Sequence, residues 1–284
     1  MIENIKAVAA DIDMTLSAKG GDLPEVTKKA FRILQDHGVQ IGLATGRELN
    51  ERLYTQWEFW HMDRPFDFLV GMNGGQLWDK EHGNFWNMEL MQPETMKEIL
   101  TDMMDIIEPF EVSVNVEGGG NHGAMYIKGE LFESMKRRGW VFEDYTGDID
   151  GFCKKPCFKI LFRTTPEVEK MIRQRIAERW SDRFQAVGTF PGTVEMIEKS
   201  INKGSGLARY AEMNHIDMKD IIAFGDNEND DPMMIQAGWG VCLLNGAQKS
   251  KDCADDVTEQ ECEEGGVGCY LRDHYLIPKG LWEE

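Results

Sequence analysis

The sequence predicts an open α/β fold: a doubly wound parallel sheet carrying an inserted α/β domain. Three observations support this. Strand-length apolar runs alternate with helical patterns in the first third, the same rhythm returns near the end, and between them the texture shifts to half-buried alternation. With 284 residues and a hydrophobic fraction of 42%, the chain has material for one large domain or two smaller ones.

In order, KAVAADID reads as a buried strand, PEVTKKAFRILQDHG as an amphipathic helix and VQIGLATG as a second strand, with a further helix beginning near Glu48. Late in the chain NKGSGLARYAEMNH reads as helix, IIAFGD as strand, DDPMMIQAG as helix and GVCLL as strand. Strand and helix in alternation imply βαβ units, so residues 1–82 and 191–284 are expected to form one sheet. Between them, residues 83–190 form the expected insertion. There GNFWNMEL, FEVSVNVE, GAMYIK and CFKILFRTT alternate like antiparallel strands, and PETMKEILTDMMDII and PEVEKMIRQRIAERW read as helices. Met103, Met104 and Ile107 read as one helix's buried stripe, and Trp86 and Trp140 as core aromatics.

A net charge of −19 argues against nucleic acid or an anionic membrane as the principal partner, because both attract through clustered Lys and Arg. No apolar run reaches the roughly 18 residues needed to span a bilayer, and the first residues lack a signal peptide's pattern, so a cytoplasmic protein is expected. Cys153, Cys157, Cys242, Cys253, Cys262 and Cys269 include no C-x-x-C pair and read as reduced thiols. The histidines are scattered without ligand spacing, so no zinc site is expected. GGGNHG at residues 118–123 satisfies a dinucleotide-binding spacing, but a strand pattern follows it where a helix is required.

The chemistry concentrates in four segments. Asp11 and Asp13 end the first apolar run, where strand alternation would turn both carboxylates, and Thr15 after them, to one face. Thr45, Gly46 and Arg47 close LATGR. Lys203 is the second residue of NKGSG, and FGDNENDD supplies Asp226, Asn229, Asp230 and Asp231. In open α/β sheets ligands bind outside the carboxyl ends of the strands, so segments distant in sequence can meet there.

The order DIDMT, ATGR, NKG and GDNEND resembles the four motifs of the haloacid dehalogenase-like superfamily, and ATGR, NGG and NKGSGL look like its Cof-type phosphatase branch. The resemblance implies a Rossmann-like core with the insertion as a specificity cap, and an Mg2+-dependent phosphatase acting on a small phosphorylated metabolite such as a sugar phosphate. It implies Asp11 as nucleophile and Asp13 as general acid and base, with Mg2+ on Asp11, Asp226 and the Asp13 carbonyl. Asp230 and Asn229 would orient those groups, and Thr45, Gly46 and Lys203 would bind the phosphoryl oxygens. Asn73, in GMNGGQLW, and Arg47 are substrate-contact candidates. Met14 stands where the family often has Gly, and Asp231 where it often has an apolar residue, adding a charge beside the metal. A sugar phosphomutase using the same nucleophile, and a non-catalytic metabolite-binding regulator with a relic site, are the competing readings.

Overall fold

A computed structural model describes residues 3–117, 124–126, 129–137, 139 and 143–283. The GGGNHG segment and Trp140 lie outside them. The chain divides into two compact units, Met1–Asn87 with Ile201–Glu284, and Met88–Ser200. Both boundaries fall later than the alternation predicts, and the strand pairing explains why.

Five strands precede the second unit: β1 (Ala7–Ala10), β2 (Gln40–Ala44), β3 (Phe68–Gly71), β4 (Gln76–Asp79) and β5 (Gly83–Trp86). Six lie within it: β6 (Ser113–Glu117), β7 (Ala124–Tyr126), β8 (Glu143–Asp144), β9 (Lys159–Arg163), β10 (Phe184–Phe190) and β11 (Thr193–Glu198). Three follow: β12 (Ile221–Gly225), β13 (Trp239–Cys242) and β14 (Asp256–Val257). The first unit's sheet runs β14-β13-β12-β1-β2-β3-β4-β5, and the second unit's runs β10-β11-β9-β6-β7-β8. β5, expected in the insertion, is instead the antiparallel edge of the core sheet, with Leu77 opposite Phe85. Trp86, at its end, is 47% exposed rather than core. Conversely, β11 pairs with β9 and β10, which carries the insertion on to Ser200.

The core sheet is parallel from β14 to β3, as the βαβ rhythm requires. β1 occupies its middle, with Ala7 opposite both Ile221 and Gln40. Apolar clusters lie on both faces, one containing Val8, Phe31, Leu34, Ile41 and Phe224, the other Ala9, Phe68, Leu207 and Tyr210. Burial on both faces explains why β1 and β12 read as continuous apolar runs.

The second unit has its own core, in which Met96, Ile99, Met103, Ile107, Ile160, Phe162, Ile172 and Met196 pack together. The predicted helix over residues 93–107 is broken at Met103, which caps Pro93–Asp102 and starts Met104–Ile107. All six cysteines are free thiols. No helix among the described residues is long and apolar enough to cross a membrane.

Candidate active site

The site begins where β1 ends. Asp11 continues the ladder by one bond, its amide donating to the Phe224 carbonyl at 3.1 Å, and the chain then tightens. The amides of Leu16 and Ser17 both donate to the Ile12 carbonyl at 3.2 Å, so Asp13 sits in a loop and not on the strand that simple alternation predicts. The loop still turns all three polar side chains to useful partners. Asp11 meets Lys203, Asp13 accepts from the Arg47 guanidinium, and the Thr15 hydroxyl donates to Asp226 Oδ1 at 2.9 Å. Thr15's partner was not foreseeable, although its place in the same alternation was the signal.

Lys203 lies in the segment that reads as helix. It is the first residue of the helix Lys203–Met213, which begins as the chain re-enters the first unit. Asn202 and Ser205 form a reciprocal cap that fixes this start: Asn202 Oδ1 accepts from the Ser205 amide at 2.9 Å, and Ser205 Oγ accepts from the Asn202 amide at 3.0 Å. The Lys203 side chain is 0% exposed, and its ammonium donates to Asp11 Oδ1 at 2.6 Å and Asp230 Oδ1 at 2.5 Å. A buried ammonium without such partners would be prohibitively costly.

Asp230 uses its other oxygen on the turn after β12, where Oδ2 accepts from the amides of Asp226 at 3.0 Å and Asn227 at 3.1 Å. Gly225 permits this return, because a Cβ there would stand 2.3 Å from that of Asp230. Asp230 is therefore committed to holding Lys203 and shaping the Asp226 turn. Ligand-atom positions on Asp11, Asp226 and Asp230 nonetheless lie within 4.8 Å of one another. An all-oxygen set of this kind suits a hard divalent cation such as Mg2+ better than zinc.

The electrostatics agree with that fit. Burial pushes the Asp11 carboxyl up to about 7, with Lys203 opposing and Asp230 and Asp13 adding to the rise. Burial likewise pushes Asp226 up to about 8, helped by Asp230 and Asp11. Burial pulls Lys203 down, but Asp11 and Asp230 more than offset it and hold the ammonium above its ordinary range. A single ammonium thus faces three carboxylates, and two of them keep their protons unusually well.

The remaining predicted residues form a second cluster. The Thr45 amide donates to the Val70 carbonyl at 2.7 Å, its carbonyl accepts from the Asn73 amide at 3.1 Å, and its hydroxyl oxygen accepts from the Arg47 amide at 3.2 Å. Gly46 abuts Asn73, where a Cβ would meet Asn73 Oδ1 at 3.2 Å. Asn73 has left-handed backbone at φ 53° and accepts from Asn229 Nδ2 at 3.3 Å, which joins this cluster to the acidic turn. The helix expected near Glu48 starts at Glu51, so Arg47 is a loop residue aimed at Asp13. Burial raises the Asp231 carboxyl and the neighbouring Asp230 charge adds to the rise, while Ser250, Cys253 and Lys249 oppose it.

Buried carboxylates, an ammonium and a hydroxyl lie where β1, β2 and β12 end, an arrangement compatible with phosphoryl transfer. Residues 8–271 match the model of the haloacid dehalogenase-like hydrolases, and the chain belongs to that family. It is 39% identical over 262 residues to phosphoglycolate phosphatase of Methanosarcina acetivorans, covering 92% of this chain and 93% of that protein. Over 264 residues it is 25% identical to the 5-amino-6-(5-phospho-D-ribitylamino)uracil phosphatase YcsE of Bacillus subtilis, covering 92% and 93%. The subclass IIB sugar phosphatase BT4131 shares its fold with a TM-score of 0.76 at 20% identity, covering 98% of this chain and all of that one. The protein is accordingly a haloacid dehalogenase-like phosphatase.

Proposed function

We propose that the protein is an Mg2+-dependent phosphatase that hydrolyses a small phosphate monoester, such as a sugar phosphate, through an aspartyl phosphate on Asp11. The buried Lys203 bridge between Asp11 and Asp230 supports this most directly, because it holds a nucleophilic carboxylate and a phosphate-binding cation together. Asp11, Asp226 and the Asp13 carbonyl would hold the metal, with Asp230 fixing their turn. Bound there, the cation supplies counter-charge to a phosphate dianion.

Asp11 attacks phosphorus, forming an O–P bond as the bond to the leaving oxygen breaks, and Asp13 delivers a proton to that oxygen. Water then attacks the aspartyl phosphate, giving its proton to Asp13 and releasing phosphate. One Asp13 oxygen accepts from Arg47, while Oδ1 is buried with no hydrogen-bond partner among the described residues. Lys203 and the Thr45 hydroxyl hold the equatorial phosphoryl oxygens, and Gly46, without a side chain, lets Asn73 approach beside them. Asn73, Asn229 and Arg47 orient the substrate. The Met88–Ser200 unit serves as the cap that discriminates leaving groups.

Phosphate release from sugar phosphates, phosphoglycolate and an aryl phosphate, measured with Mg2+ and with chelator, tests this reading. Metal-dependent release that disappears in Asp11→Asn is expected. Release surviving that substitution overturns the nucleophile, and no release from any substrate overturns the phosphatase.

A further inference from the structure

Met14 adopts left-handed backbone at φ 68°, a conformation glycine takes freely and methionine does not. Both of its peptide groups are held. The Met14 amide donates to the Ser17 carbonyl at 2.8 Å, and its carbonyl accepts from Asn245 Nδ2 at 2.7 Å. Asn245 Oδ1 in turn accepts from the Cys262 amide at 2.8 Å, so one side chain ties the loop after the nucleophile to a distant segment. On either side of Met14 in the chain, Asp13 and Thr15 engage Arg47 and Asp226.

In the midst of these charges Met14 stays 36% exposed, and Leu244, adjoining Asn245, is 40% exposed. Two apolar side chains therefore stand in water on the two loops that Asn245 joins. The loop's own hydrogen bonds hold Met14 in a conformation that glycine fits more easily, so a methionine at this place keeps an apolar group exposed next to Asp13 and Thr15.

We propose that Met14, together with Leu244, is a specificity-determining residue. The two side chains contact a carbon face of the leaving group, an aromatic ring or the C–H face of a sugar, and disfavour leaving groups that place a carboxylate there. The proposal rests on the phosphatase reading above and names the part of the substrate that the first unit itself selects.

The test is the ratio of kcat/KM for benzyl phosphate to that for phosphoglycolate, with Mg2+ present. In Met14→Gly and Met14→Asn, which suit left-handed backbone, the ratio is expected to fall about tenfold, mostly through KM for benzyl phosphate. Leu244→Asn is expected to lower it in the same direction, and Met14→Leu to keep it. An unchanged ratio in both Met14→Gly and Met14→Asn overturns the proposal, as does a Met14→Leu ratio as low as that of Met14→Asn. A wild-type protein that releases phosphate from none of benzyl phosphate, phosphoglycolate and the sugar phosphates sinks the phosphatase reading itself, a result distinct from an unchanged ratio.

Discussion

At the residue scale, the buried Lys203 ammonium is the counter-charge that holds Asp11 and Asp230 together. Lys203→Met leaves Asp11, Asp226 and Asp230 with no compensating cation, and a loss of about 3–5 kcal/mol in denaturant unfolding is expected in chelator. Adding Asp11→Asn removes one of the stranded charges, so the double variant should lose less than the sum of the singles. The raised Asp11 and Asp226 carboxyls set a pH dependence. Below pH 3.8, their ordinary value, folded and unfolded chains hold these protons alike. As pH rises, the unfolded chain releases them first, while the folded chain retains them to about 7 at Asp11 and about 8 at Asp226. These two groups therefore lower stability across that window, and the metal-free Tm should fall between pH 5 and pH 8 to the extent they dominate. Mg2+ should raise Tm more at pH 8 than at pH 5, because it must displace those protons. Equal Mg2+ shifts at the two pH values would refute the linkage.

At the scale of elements, the sequence made the strand ends legible and the loops between them less so. Asp11, Asp226 and Thr45 were readable because each ends a continuous apolar run, which only a strand buried on both faces produces. Arg47's pairing with Asp13 was not readable, since loop geometry decides it and helix periodicity gave a false start at Glu48. β5 was misassigned for a related reason: an antiparallel edge strand alternates alike in either sheet, and only its pairing with β4 reveals its owner. One glycine can be tested here. Gly74 has φ 102°, and a Cβ on it would lie 2.1 Å from the Asn202 carbonyl oxygen, where the Met72–Gly74 turn meets the start of the Lys203 helix. Gly74→Ala is expected to cost at least about 2 kcal/mol and to weaken substrate binding through Asn73. A variant with wild-type Tm and KM would show that this close approach is dispensable.

At the scale of the whole molecule, the second unit is one continuous segment with a core of its own, whereas the first is assembled from two separated stretches. A fragment spanning residues 88–200 should therefore unfold cooperatively in isolation, as followed by circular dichroism against urea, and a broad, non-cooperative transition would count against its autonomy. The same division imposes an order in time. β1 lies between β2 and β12, and Asp11 faces a lysine 192 positions further on. At a synthesis rate of about 5–20 residues per second, roughly 10–40 seconds separate the two during translation. Through that interval the nascent chain carries an apolar strand with one vacant edge and a carboxylate with no ammonium to meet it. Maturation of the catalytic half therefore waits on complete passage of the inserted half through the ribosome, and a chain stalled within the insertion offers β1 to chaperones or to aggregation.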